Sequence, residues 1–101
     1  MAEQQLRIYD VRPGHLDDFV AVWRRQIVPL RVSAGYKILA AWADYHSSTF
    51  CWLVGWAPST TLGELEAKYK ELRAAESLDP DPAQWVESAR LLRASPVPLN
   101  D

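Results

Sequence analysis

The chain contains 101 residues, of which 49% are hydrophobic and 24% are charged, and its formal net charge is −2. These proportions are those of an ordinary globular protein, and the length predicts a single domain covering residues 1–101. A weakly acidic chain has no electrostatic footprint for nucleic acid or an anionic membrane, so neither is an expected partner.

Localisation is predicted from the cysteine content and from targeting patterns. Cys51 is the single cysteine, which excludes an intrachain disulfide and favours a reducing compartment. No apolar run approaches the roughly 20 residues that cross a bilayer, and the N-terminal residues lack the pattern of an export signal. We therefore expect a cytoplasmic protein that does not enter a membrane.

The first two predicted elements are a short strand from about Gln5 to Val11 and a helix that follows it. Apolar residues in the helix recur with a period near 3.6, which is the pattern of an amphipathic helix. They are Leu16, Phe19, Val20, Trp23, Ile27 and Leu30. The basic residues outside this stripe, Arg24, Arg25 and Arg31, are predicted to face solvent.

Two strands rich in aromatic and aliphatic residues are predicted between Tyr36 and Ala57, on either side of a polar break at residues 46–49. A half-exposed antiparallel strand alternates apolar and polar side chains, whereas these strands carry apolar side chains on both faces. We therefore expect the sheet to be covered on both sides. Helices of the same chain provide one cover, and a second copy of the protein provides the other.

The last part of the chain predicts a second helix and a fourth strand. Thr61 and Glu64 have the spacing of a capping box at the start of the helix. The Asp-Pro-Asp-Pro break at residues 79–82 precedes an edge-like strand from Glu87 to Ala94. The order β-α-β-β-α-β predicts an α+β fold of the ferredoxin-like type, with helices on one face and a homodimer formed through the other.

Several short motifs are distributed along the whole chain. The segment Ile-Tyr-Asp-Val-Arg-Pro-Gly-His-Leu-Asp-Asp-Phe at residues 8–19 is followed by Trp23, Pro29, Gly35-Tyr36-Lys37, Ala41-Trp42, Gly55-Trp56 and Arg90-Leu91-Leu92-Arg93 with Pro96 and Pro98. Together they resemble the NIPSNAP family of dimeric α/β-barrel proteins. The resemblance implies a ferredoxin-like protomer whose sheet forms a barrel with the sheet of a second protomer.

The resemblance implies no particular reaction. The wider superfamily includes cofactor-free monooxygenases, isomerases, polyketide cyclases and haem enzymes, and one fold hosts many activities. The segment between the second helix and the last strand is short here, which implies a reduced cover over any pocket.

The polar residues around the predicted hairpin are the candidates for catalysis. A two-residue turn at residues 47–48 would place Asp44, His46, Thr49 and Cys51 on one sheet face. The Asp44 carboxylate would then orient the His46 imidazole as a general base, so these two residues are the predicted catalytic pair. A hydrated hairpin end without a chemical role is the alternative.

The opposite face of the hairpin is predicted to carry larger apolar side chains against small ones, as interdigitated packing requires. These side chains are Tyr45, Phe50, Trp52, Val54 and Trp56, with Ala41 and Ala43 opposite them. They are assigned to the core or to the dimer interface, and Trp56 is placed at the interface.

A small apolar or aromatic metabolite is the predicted ligand, because flat substrates bind well against aromatic walls. The residues expected to contact it are Tyr9, Trp23, Tyr36, Trp42 and Cys51. The alternative is that such side chains only fill the core or the dimer interface. An inward-facing Arg7 or Asp10 on the first strand would need a partner, and that would itself indicate a site.

Neither a metal nor a cofactor is predicted. His15, His46 and Cys51 lack the dense spacing of metal ligands, and the sequence has no glycine-rich phosphate loop. Two functions therefore stay open. One is a cofactor-independent enzyme that acts by proton transfer, cyclisation, isomerisation or monooxygenation; the other is a non-catalytic ligand-binding or protein-interaction module of the NIPSNAP type. A closed cavity with a titratable group would favour the enzyme.

Overall fold

The computed structural model describes residues 3–100, which form an antiparallel sheet with helices packed on one face. The strands are β1 (Glu3–Val11), β2 (Lys37–Asp44), β3 (Thr49–Trp56) and β4 (Val86–Ala94). Their order across the sheet is β2-β3-β1-β4, and each neighbouring pair is antiparallel. This is the ferredoxin-like arrangement, so the predicted α+β fold is confirmed.

Three α-helices cover the sheet: α1 (Leu16–Val22), α2 (Val28–Ala34) and α3 (Leu62–Glu76). A π-helical segment at Trp23–Ile27 joins α1 to α2 without a break. A short 3₁₀ helix at Pro82–Trp85 leads into β4. Within residues 3–100, each helix is too short or too polar to span a membrane.

The start of α3 and the end of α2 are each fixed by one residue, Thr61 and Gly35. The hydroxyl of Thr61 accepts a hydrogen bond from the backbone N of Glu64 at 3.2 Å, and the Glu64 carboxylate accepts one from the backbone N of Thr61 at 3.4 Å. The predicted capping box is therefore confirmed. Gly35 ends α2 with φ at 116°, and a Cβ there would lie 2.8 Å from Cδ2 of Leu65, so glycine also permits the close approach of α2 to α3.

The hydrophobic core lies between the sheet and the helices. The residues that β3 contributes to it are Phe50, Trp52, Val54 and Trp56, each 2% exposed or less. The assignment of Trp56 to the dimer interface is wrong, because its indole is fully buried on the helix side and donates to the Glu3 carboxylate at 3.1 Å. The alternation of side chains along β3 places all four residues on one face of the sheet, and the helices cover that face.

The hairpin between β2 and β3 is longer than predicted. Asp44 lies opposite Thr49, so four residues at 45–48 form the turn, and the predicted two-residue turn is wrong. A register that shifts by two residues keeps Asp44, Thr49 and Cys51 on their predicted face, because side chains alternate with a period of two. The longer turn, however, takes His46 and Tyr45 out of the strand and leaves both exposed.

The second face of the sheet carries exposed apolar side chains. Trp42 is 52% exposed, Leu39 is 46% exposed and Leu92 is 40% exposed. Alternation along the paired strands places the partly buried Leu6 and Leu53 on this same face. Exposed apolar surface of this kind is typical of an interaction face.

Candidate functional site

A cavity of about 220 Å³ lies between the sheet and the helices. Aromatic rings form much of its wall, from Tyr9, Phe19, Trp23, Trp52 and Tyr69. Its volume is below the roughly 300–1,000 Å³ of pockets that hold drug-sized ligands. The charged residues of the wall are three arginines, Arg7, Arg31 and Arg73.

The π-helical segment explains why Arg31 reaches this cavity. A π turn holds one more residue than an α turn, so the residues that follow are rotated by about 100° around the helix axis. Trp23, Ile27 and Arg31 consequently line the same cavity. The prediction that Arg31 faces solvent is wrong, because this residue is only 4% exposed.

Glu66 on α3 connects the two buried arginines. Its Oε1 accepts a hydrogen bond from Nη1 of Arg31 at 2.9 Å and lies 3.7 Å from Nη1 of Arg7. The hydroxyl of Tyr36 donates to the same oxygen. One carboxylate oxygen of Glu66 therefore contacts Arg7 on β1, Arg31 on α2 and Tyr36, the residue that precedes β2.

The protonation states in this cluster follow from its contacts. Burial acts to raise the pKa of the Glu66 carboxyl, but the hydrogen bond from Tyr36 and the charges of Arg31 and Arg7 outweigh it, and the pKa is lowered. Burial and the hydrogen bond to Glu66 both raise the pKa of the Tyr36 phenol. At neutral pH the cluster therefore holds a carboxylate, a neutral phenol and two guanidinium groups.

Arg7 is the inward-facing charge that the sequence identified as a possible sign of a site. It is 8% exposed, and it donates from Nε to the Tyr9 hydroxyl at 2.8 Å and from Nη1 to Oε1 of Gln5 at 2.7 Å. Its guanidinium carbon lies 5.7 Å from the ring centroid of Trp52. Asp10 lies on the other face of the sheet, where its carboxylate accepts a hydrogen bond from the hydroxyl of Ser88.

Three buried donor groups lack an acceptor among residues 3–100. They are Nε1 of Trp23, Nε1 of Trp52 and Nε of Arg31. All three residues line the cavity. Buried donors are nearly always paired in folded proteins, and an unpaired one costs about 1–3 kcal/mol. The residues that line the cavity therefore include aromatic side chains and a guanidinium group whose buried donors are unpaired.

The residues predicted to bind a ligand fall in two places. Tyr9 and Trp23 line the cavity, and Tyr36 is connected to it through Glu66. Trp42 and Cys51 lie opposite each other on β2 and β3, on the second face of the sheet. The structure thus brings three of the five to the same region.

Asp44 closes the turn after β2. Its Oδ2 accepts a hydrogen bond from the Ser47 hydroxyl at 2.9 Å, and its Oδ1 accepts one from the backbone N of His46 at 3.0 Å. These bonds, that of the Ser47 hydroxyl above all, lower the pKa of the Asp44 carboxyl. His46 lines a second pocket of about 320 Å³ with Asp17 and Tyr45, separate from the cavity. The catalytic role of Asp44 and His46 stays a prediction.

Glu66 is the site residue that sequence reasoning missed. Its position between Leu65 and Tyr69, both buried, was the available signal, because a charged residue beside an apolar stripe borders the core. Within residues 3–100, no group of three or more His, Cys, Asp or Glu side chains is placed to hold a metal ion.

Comparison with solved structures finds the same fold in a NIPSNAP family protein from Agrobacterium tumefaciens. The TM-score is 0.77 at 14% identity, over 98% of this chain and 96% of that one. No family model matches the sequence, and no curated protein matches it. The resemblance to NIPSNAP proteins is therefore confirmed at the level of the fold.

Two further solved structures share this fold. One, from Bacteroides thetaiotaomicron, is described as a proposed antibiotic biosynthesis monooxygenase; its TM-score is 0.64 at 22% identity, over 99% of this chain and 94% of that one. The other is a dimeric ferredoxin-like protein from an uncultured marine organism, with a TM-score of 0.63 at 11% identity, over 99% of this chain and 93% of that one. At these identities the likeness concerns architecture alone.

Proposed function

We propose that this protein is a cytoplasmic, single-domain homodimer of the NIPSNAP type that binds a small apolar or aromatic metabolite in the cavity between sheet and helices. The observation that carries the proposal is that three residues lining that cavity, Trp23, Trp52 and Arg31, each have an unpaired buried donor. A core packed for stability alone rarely leaves so many donors without acceptors at one place. A ligand with acceptor atoms would satisfy them.

The geometry of the aromatic walls supports a flat ligand. Trp23 meets Trp52 edge to face at a centroid distance of 5.4 Å, and Tyr9 meets Phe19 edge to face at 5.9 Å. Rings fixed by such contacts are held in place before a ligand arrives. A planar apolar body then binds with little loss of side-chain freedom in the protein.

The apolar second face of the sheet supports the homodimer. Leu39, Trp42 and Leu92 are exposed there, and a second copy packed on this face in a symmetric pair would bury them. One neighbour of the same fold is described as dimeric.

Enzymatic turnover without a cofactor is the second candidate function. It is favoured by the titratable groups beside the cavity, since the Glu66 carboxylate contacts Arg31 and Arg7, and Arg7 in turn contacts the Tyr9 hydroxyl. Such a cluster suits proton transfer, isomerisation, cyclisation or oxygen insertion on a bound aromatic substrate. A non-catalytic binding or interaction module is the alternative. The roles predicted for Asp44 and His46 belong to the enzymatic candidate.

Binding is tested by NMR on uniformly ¹⁵N-labelled protein, because each of the five tryptophans gives a separate indole N–H signal that a Trp→Phe variant assigns. The probes are 2-naphthamide and phenylacetamide, two neutral aromatic amides. We expect the signals of Trp23 and Trp52 to shift and that of Trp85, which stacks on His15 outside the cavity, to stay in place. Shifts confined to Trp42, or no shifts with these amides or with their carboxylate analogues, would overturn the proposal.

A further inference from the structure

The charges on the cavity wall do not balance within the described residues. Arg73 is paired, because its Nη2 lies 2.5 Å from Oδ1 of Asp81. Arg7 and Arg31 share Glu66, which among residues 3–100 is the one carboxylate within 4 Å of either. Two buried guanidinium groups therefore face a single negative charge.

The two arginines that carry this surplus charge are buried. The Arg31 side chain is 5% exposed and that of Arg7 is 10% exposed, whereas the Glu66 side chain is 40% exposed. Arginine does not lose its proton in proteins, so the positive charge stays in place whatever its surroundings. Aromatic faces compensate part of it, since Arg31 lies over Tyr69 and 5.0 Å from the centroid of Tyr36.

The unpaired donors lie at the same place as the surplus charge. Arg31 has used Nη1 on Glu66, while its Nε has no acceptor among residues 3–100. The other two unpaired donors are the indole N–H groups of Trp23 and Trp52, two further residues that line the cavity. A carboxylate offers two oxygens that accept several hydrogen bonds, and it matches the fork of a guanidinium group better than any neutral acceptor.

We infer that the cavity selects a small aromatic carboxylic acid, bound as its carboxylate by Arg31 and Arg7, with the indole N–H groups of Trp23 and Trp52 as further donors. The inference rests on the proposed ligand-binding function and names the class of its ligand. The aromatic walls hold the ring, and the carboxylate supplies the negative charge that the wall lacks.

The test compares matched acids and amides, which have nearly the same shape but differ in charge. Phenylacetate is compared with phenylacetamide and 2-naphthoate with 2-naphthamide, by calorimetry or NMR titration at pH 7. A charge-assisted hydrogen bond predicts that the acid of each pair binds about 10- to 100-fold tighter than the amide. Arg31→Met should remove this preference, and Arg93→Met, at an exposed arginine beside Trp56 outside the cavity, should retain it.

A second variant covers the case in which Arg31→Met does not fold. Trp23→Phe keeps an aromatic ring against Phe50 and removes one donor, so it should fold and bind the acids about 3- to 10-fold more weakly. Equal affinity for acid and amide would overturn the inference and leave the proposed function standing. If no probe of either kind binds, the proposed function fails as well. A preference that persists in Arg31→Met, or unchanged acid binding in Trp23→Phe, would overturn the assignment of these residues.

Discussion

The guanidinium group of Arg31 lies over the ring of Tyr69, with its central carbon 3.6 Å from the ring centroid. The Tyr69 hydroxyl accepts a hydrogen bond from Nη1 of Arg73 at 2.9 Å, so the same ring contacts two arginines of the cavity wall. A planar guanidinium stacks on an aromatic face and still donates in its own plane. This stack joins α2 to α3 and leaves Nη1 of Arg31 free to donate to Glu66.

Replacing Glu66 by glutamine tests the carboxylate that Arg31 and Arg7 share. The folded-state pKa of Glu66 is lowered from its ordinary 4.5, so its charge stabilises the fold above that value, and the contribution is lost as the pH falls through the folded-state pKa. We expect Glu66→Gln to reduce the free energy of unfolding by about 1–2 kcal/mol at pH 7. The difference from the wild type should shrink below about pH 4.5.

Urea unfolding at a series of pH values between 7 and 3 measures this difference. Glu71→Gln is the control, because Glu71 is exposed on the same helix and its Oε2 lies 4.0 Å from Nζ of Lys68. An exposed pair of this kind contributes less than about 1 kcal/mol. A stability difference for Glu66→Gln that stays constant over the whole pH range would contradict the ion-pair interpretation.

Replacing Trp23 by alanine tests whether this residue is part of the core as well as of the cavity wall. Trp23 is 7% exposed and packs edge to face on Phe50 at a centroid distance of 4.9 Å. The substitution should cost about 3–5 kcal/mol in chemical unfolding, since it removes a large buried side chain. Tyr45→Ala is the control, because Tyr45 is 64% exposed in the turn. A neutral Trp23→Ala would mean that Trp23 belongs to the cavity wall alone.

The element order and the sheet faces could be predicted from the sequence because they depend on short periodicities. Alternation with a period of two is insensitive to an error of two residues, so Asp44, Thr49 and Cys51 lie on the predicted face although the turn is longer. The turn length itself was not predictable. It depends on the left-handed φ of 55° at Ser48 and on the hydrogen bonds that Asp44 makes within the turn.

The cavity was harder to predict because its polar residues come together through tertiary structure. The orientation of Arg31 depends on the π-helical segment, which an apolar period of 3.6 does not reveal. Glu66 contacts Arg31 and Tyr36, which lie 35 and 30 residues before it in the sequence. Tyr9 and Trp23, by contrast, line the cavity, and their place between sheet and helices could be predicted from the alternation of β1 and the apolar period of the first helix.

Thr61→Ala tests the capping box at the start of α3. Loss of the side-chain acceptor for the backbone N of Glu64 should reduce the free energy of unfolding by about 1 kcal/mol. Ser59→Ala, two residues earlier and exposed, should change it by less than about 0.5 kcal/mol. Thermal or urea unfolding measures both, and equal stability of the two variants would argue against a cap that contributes to the fold.

Trp42→Asp tests the homodimer through the second face of the sheet. Wild-type protein is expected to sediment as a dimer at micromolar concentration, because burial of the exposed Leu39, Trp42 and Leu92 favours association. Trp42 is 52% exposed in the protomer, so a charge there should produce a folded monomer. Trp56→Asp should instead unfold the protein, because that side chain is fully buried under the helices.

The matched control for Trp42→Asp is Tyr45→Asp, which places the same charge at another exposed aromatic residue, in the turn beyond the strand. Sedimentation velocity over a dilution series, with circular dichroism on the same samples, separates dissociation from unfolding. Tyr45→Asp should remain dimeric, because the turn lies outside the apolar sheet face. A wild-type monomer at all concentrations, or a Trp42→Asp variant that stays dimeric, would show that this face does not form the interface.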